Sequence, residues 1–115
     1  MVGVPIDREG ALGALRREFE WGPVGVAAYN DQVALAALSA AARLGLDVPG
    51  QVAVVGVDRI DVGQLWTPRL TTVDVDMRSF MDATVAELEA ALAGGEPSAV
   101  QDERDFATLV VGEST

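Results

Sequence analysis

Two runs of this chain, VGVAAY at residues 24–29 and VAVVGV at residues 52–57, are almost wholly apolar. A strand with one wet face alternates apolar and polar residues. A run without alternation belongs to a strand buried on both faces, as in parallel sheets whose connections carry helices. The segment between the runs fits such a connection. QVALAALSAAARLGL is rich in Ala and Leu, with Leu35, Leu38 and Ala42 on one stripe and Ala34, Ala37 and Ala41 beside it. Gly45 is placed to end that helix in a left-handed cap, and VPGQ supplies a turn into the second run.

The rest of the chain reads in the same terms. Residues 1–6 are apolar with a proline and suit a lead-in or short strand. EGALGALRREFE is a helix with Leu12, Leu15 and Phe19 on one face, stopped by Gly22-Pro23. RIDVGQLWTPRL reads as irregular. TTVDV at residues 71–75 alternates and is β-branched, which predicts a strand. Asp76 can cap a final helix whose apolar positions are Met77, Phe80, Met81, Val85, Leu88 and Leu92. Residues 96–105 are polar and read as loop, and ATLVVGES as a closing strand. Strands alternating with helices predict an α/β fold, a parallel sheet flanked by helices.

Composition narrows function by exclusion. Eight basic residues, all Arg, stand against 18 acidic ones, for a net charge of -10. Such a surface repels phosphate backbones and anionic lipid. The absence of Cys and His removes thiol chemistry, Ser-His-Asp triads and zinc sites built on those residues. No metal or cofactor site is expected. No apolar run approaches the ~20 residues of a membrane span, and the N-terminus has no export-signal pattern. A soluble, cytoplasmic protein is the expectation.

Both apolar runs stop at polar residues: Asn30 and Asp31 after the first, Asp58 after the second. In open parallel sheets, ligands bind beyond the carboxyl ends of the strands. A carboxylate that accepts hydrogen bonds, beside an amide that donates and accepts, suits a ligand rich in hydroxyls. Each residue also has a plainer reading. Asn30 or Asp31 can be the cap of the following helix, Asp31 the more so, and Asp58 can serve a turn. Asp61, Asp74 and Asp76 read as solvated or capping. A phosphoryl-accepting receiver domain also gathers acids at strand ends, but it relies on a Lys, and this chain has none. No nucleophile motif or dinucleotide fingerprint accompanies the acids.

The series AYND, the Ala-Leu helix ending at Leu44-Gly45, Val48-Pro49, VVGVD, TPRLTTV and LVVGEST resembles, in order and spacing, the effector-binding region of LacI/GalR-family transcriptional regulators. The resemblance implies the C-terminal lobe of a type I periplasmic-binding-protein-like fold, and a DNA-binding regulator that senses a small, sugar-like effector without catalysis. It implies effector contacts by Asn30 and Asp58, with Val75 and Met77 also facing the cleft. It implies a homodimer through the region of Leu35, Leu38 and Trp66. Tyr29, Val57 and Arg59 depart from the family pattern and point to an altered effector preference. Residues 1–115 are then an incomplete effector-binding domain with no DNA-binding domain, whose 76–95 helix is expected to pack on an N-terminal lobe. An incomplete sheet exposes an edge and an apolar patch, so self-association is expected. A transporter's solute-binding protein is the alternative within the fold, and an α/β enzyme fragment using Asp58 as acid or base is the alternative outside it.

Overall fold

The structure, a computed structural model, describes residues 8–96 and 106–115. The expected lead-in at residues 1–6 and most of the loop expected at 96–105 lie outside them. Eight elements follow in order: α1 (Arg8–Phe19), β1 (Val24–Ala27), α2 (Asp31–Leu44), β2 (Val52–Val57), α3 (Asp61–Leu65), β3 (Thr71–Val75), α4 (Met77–Leu92) and β4 (Ala107–Val110). They form one four-stranded sheet in the order β1-β2-β3-β4. β1, β2 and β3 are parallel, as the apolar runs require, and β4 closes the sheet antiparallel to β3. The α/β fold expected from the sequence is present; the mixed edge is its one departure. The short helix α3 falls where an irregular segment was expected. Five residues carrying an interior glycine are too short to show a helical period.

The core sits between the sheet and α2, with α1 layered on α2. Val52 and Val54 of β2 are fully buried beneath Ala34, Ala37, Leu38 and Ala41 of α2. Alanines let this helix lie close on the strands. α1 adds Ala11, Ala14 and Leu15 to the buried set. Gly45 ends α2 at φ 67°, its N–H reaching back to the last turn, as the sequence indicated. The opposite sheet face presents Ala27, Val55, Val57, Val73 and Val75, half-buried or exposed, and no described helix packs extensively on it.

The C-terminus is a latch rather than a longer strand. Beyond Val110 the chain turns under the start of β3. Buried Ser114 donates its hydroxyl to the Val54 carbonyl at 2.6 Å and accepts the Thr71 N–H at 2.8 Å. A side chain at Gly112 would meet the Arg69 and Leu70 backbone, so the crossing needs glycine.

α4 stands apart. None of its residues is buried. The described body is 59 Å long with a radius of gyration of 18.0 Å, against roughly 13 Å for a compact chain of this size. Its root is firm: only Asp76 separates it from β3, Phe80 meets Phe106 edge-on at 5.7 Å, and the Asp76 N–H donates to the Phe106 carbonyl.

Asp76 caps α4, accepting the Ser79 N–H at 3.0 Å and the Ser79 hydroxyl at 2.7 Å. Those bonds hold its carboxyl below the ordinary value of 3.8, the backbone N–H contributing most. A pKa lowered by folding stabilises the helix above 3.8, and that contribution is lost as pH falls through the lowered value. An Asp76→Asn variant keeps a neutral cap. Below pH 3.8 wild type should therefore lose more helical circular dichroism at 222 nm than the variant; parallel curves would show that the cap carries no charge-dependent stability.

Candidate functional site

The parallel strands end together, and the loops beyond them are organised by one buried carboxylate. Asp31, the first residue of α2, is wholly inaccessible. Its Oδ1 accepts the Thr72 hydroxyl at 2.6 Å, and its Oδ2 accepts the Ile60 N–H at 2.9 Å. The helix N-terminus adds partial positive charge. A buried carboxylate is costly unless it is bonded in this way. Thr72 in turn accepts the Arg59 N–H at 3.3 Å. One acid thus joins α2, β3 and the loop after β2. Glycine is required opposite it: a side chain at Gly56 would collide with Asp31 Oδ1 and press on Ala34.

That clamp holds an unfavourable turn. Asp58 and Arg59 both have positive φ, 98° and 49°, where non-glycine residues cost on the order of 1–3 kcal/mol each. The turn leaves the Asp58 side chain exposed, while its N–H stays bonded to the Val73 carbonyl at 2.9 Å. Arg59 reaches across to Asp74 at 3.1 Å. Both groups are well exposed, so this pair orients the guanidinium more than it stabilises the fold.

The four residues expected at a ligand site sit at this end of the sheet, in different circumstances. Asn30 is the N-cap of α2, its Oδ1 accepting the Val33 N–H at 3.0 Å. The sequence favoured Asp31 as the cap. The structure reverses the two, because Asn30 has the extended backbone of a cap while Asp31 is already helical and turns inward. The cap leaves the Asn30 amide nitrogen for other partners. Asp58 is exposed with no side-chain hydrogen bond among the described residues. Val75 and Met77 line an open recess of about 530 Å³ with Asp74, Asp76, Phe106 and Thr108. Asn30 and Asp58 are not among its walls. Asp31 and Thr72 were not singled out by sequence reasoning as the clamp; a glycine inside a β-branched run was the signal that something approaches the strand closely.

A second recess lies on the side of α2. A groove of about 500 Å³ is lined by Arg43, Leu46, Asp47, Trp66 and Pro68, with Leu38 and Ala42 behind. Leu38, expected at a dimer contact, belongs to the core and is 3% exposed. Leu35 packs against the same core. Trp66 and Leu65 are the apolar groups this side presents to solvent. Among the described residues, no group of three or more acids, His or Cys could hold a metal ion, and no helix is long and apolar enough to cross a membrane.

Replacing Asp31 by Ala leaves the Ile60 N–H and the Thr72 hydroxyl without their acceptor. At about 1–3 kcal/mol per orphaned group, urea denaturation should show a loss of about 2–6 kcal/mol. Gly56→Ala should cost about 1–3 kcal/mol through overpacking. A loss below half a kcal/mol in both would remove the clamp from this account.

Comparison with known proteins agrees with this architecture. The periplasmic binding protein-like domain family matches residues 4–115. The transcriptional regulator GalR of Escherichia coli K12 is 40% identical over 72 residues, which is 63% of this chain and 21% of that protein. The repressor CytR of the same organism is 45% identical over 51 residues, 44% of this chain and 15% of its own. The matched stretches therefore span only 21% and 15% of the lengths of these two relatives. A LacI-family regulator from Arthrobacter sp. FB24, solved with lactose, superposes with a TM-score of 0.68 at 34% identity, over 94% of this chain and 40% of that one. The lac repressor dimer bound to operator superposes at 0.74 with 26% identity, over 93% and 36%. The chain belongs to the periplasmic-binding-protein-like family, within the effector-binding domains of LacI-family transcriptional regulators.

Proposed function

We propose that this chain is the effector-sensing part of a LacI-family regulator that binds a small, sugar-like molecule without catalysis. Asn30, Asp58, Val75 and Met77 contribute one wall of the cleft. The observation that carries this reading is Asp58, an exposed carboxylate with no side-chain hydrogen bond among the described residues, presented at the end of a parallel strand by a strained turn that the Asp31 clamp maintains. A carboxylate so placed accepts hydrogen bonds from ligand hydroxyls, and the Asn30 amide donates another. Tyr29, 86% exposed beside Asn30, supplies an apolar ring against which a sugar face can rest. The lactose bound to the Arthrobacter relative supports a saccharide as ligand class.

The opposing cleft wall and the DNA-binding part belong to a longer chain in this reading. The regulator pairs with a second copy through the groove at Trp66 and Arg43. Effector occupancy then changes the lobe arrangement and with it the affinity for operator DNA.

A thermal-shift panel of mono- and disaccharides on the regulator carrying this domain tests the reading, since a ligand that prefers the folded state raises its melting temperature. At least one sugar should raise it by several degrees. The double variant Asn30→Ala, Asp58→Ala should weaken that sugar's binding by roughly 10–100-fold, the scale of one or two charge-assisted hydrogen bonds. Undiminished binding by the double variant would sink the site assignment.

A further inference from the structure

In α/β folds a phosphate is received by backbone N–H groups, at a helix N-terminus or in a turn beyond a strand, with help from basic side chains. This end of the sheet has both kinds of place, and each is filled from within the chain. At the start of α2, the Asn30 amide oxygen accepts the Val33 N–H, and the Asp31 carboxylate is buried in the first turn. At the start of α4, the Asp76 carboxylate accepts the Ser79 N–H. In the turn after β2, the N–H groups of Asp58, Arg59 and Ile60 donate inward, to the Val73 carbonyl, the Thr72 hydroxyl and the Asp31 carboxylate. What that turn shows to solvent is the Asp58 side chain.

The side chains carry the same sign. Asp74 and Asp76 line the recess that Val75 and Met77 also line. Two arginines stand near these acids, and each is matched by one of them. Arg59 binds Asp74 at 3.1 Å. The Ser79 N–H chiefly, and with it the charge of Arg78, keeps Asp76 ionised. Asp58 is the charge left over, and the chain has no Lys to offset it.

We infer that the effector is an uncharged saccharide, sensed in the form that precedes any phosphoryl transfer to it, and that its phosphate esters are rejected at Asp58. This inference rests on the saccharide reading above and narrows its ligand class. A neutral sugar meets the Asp58 carboxylate with hydroxyl hydrogens. A phosphate ester brings a second anion to an acceptor that has no cation of its own. One unit of negative charge about 6 Å from Asp58, at an effective dielectric of about 20, is disfavoured on the order of 100-fold. The opposing wall belongs to a longer chain, so substitution at Asp58 is what assigns the discrimination to this one.

The test is isothermal titration of the regulator carrying this domain. The probes are D-glucose, D-galactose, D-fructose and lactose, each beside its own phosphate monoester. At least one neutral sugar should bind, and its ester should bind on the order of 100-fold more weakly. Raising salt from about 20 mM to about 500 mM should strengthen the ester's binding several-fold by screening the repulsion, and leave the neutral sugar's unchanged. Asp58→Asn should weaken the neutral sugar and also shrink the ratio between the two forms by about tenfold. An ester that binds as well as its parent sugar, or whose binding weakens with salt, would leave the saccharide reading standing and overturn the uncharged effector. A ratio unmoved by Asp58→Asn would overturn the role of that carboxylate. Silence from every probe in both forms would overturn the saccharide reading itself, and this inference with it.

Discussion

Everything at the functional end of this molecule depends on the carboxylate of Asp31. It sits at the start of α2, where the helix dipole and two donors make a buried charge tolerable. Through Thr72 it touches β3, and through the Ile60 N–H it holds the loop that follows β2. The left-handed turn at Asp58 and Arg59 is affordable only because that loop is tied on its far side. Gly56 exists in β2 to let the acid in. The exposed Asp58 is therefore the visible end of a buried arrangement, and its position is decided by a residue at the start of α2, 27 positions earlier (58 − 31).

The same economy appears at the other end of the sheet. Ser114 hydrogen-bonds β2 and β3 from beneath, and Gly112 permits the chain to pass within contact of residues 69–71. The last residues thus fasten the strand starts, while Asp31 organises the strand ends. Between the two, the Ala-rich face of α2 seals one side of the sheet. The opposite sheet face and the α4 stripe remain apolar and largely uncovered among the described residues.

Much of the fold was legible in advance because its signals are local. The uninterrupted apolar runs marked two of the parallel strands, and alternation marked the third. Gly45 and Asp76 were recognisable as helix ends, since a left-handed cap and an Asx cap depend on one residue and its neighbours. α3 escaped notice because five residues cannot display a helical period. The exchange of roles between Asn30 and Asp31 escaped for a different reason. Both residue types cap helices well, and which of them turns inward depends on what waits inside: here the Thr72 hydroxyl and the Ile60 N–H, 41 and 29 residues further along the chain.

The sequence by itself determined the α/β class, the order of nearly all the elements, the family resemblance and the set of polar residues at the strand ends. These follow from periodicity, capping chemistry and linked motifs, which are properties of neighbouring residues. Tertiary structure alone decided that β4 runs antiparallel, that Leu38 belongs to the core and that α4 projects from the body. It also decided which acid at the end of the first apolar run is buried and which strand-end carboxylate meets solvent. Those outcomes depend on pairings between residues far apart in the chain, and only the assembled sheet brings such residues within hydrogen-bonding distance.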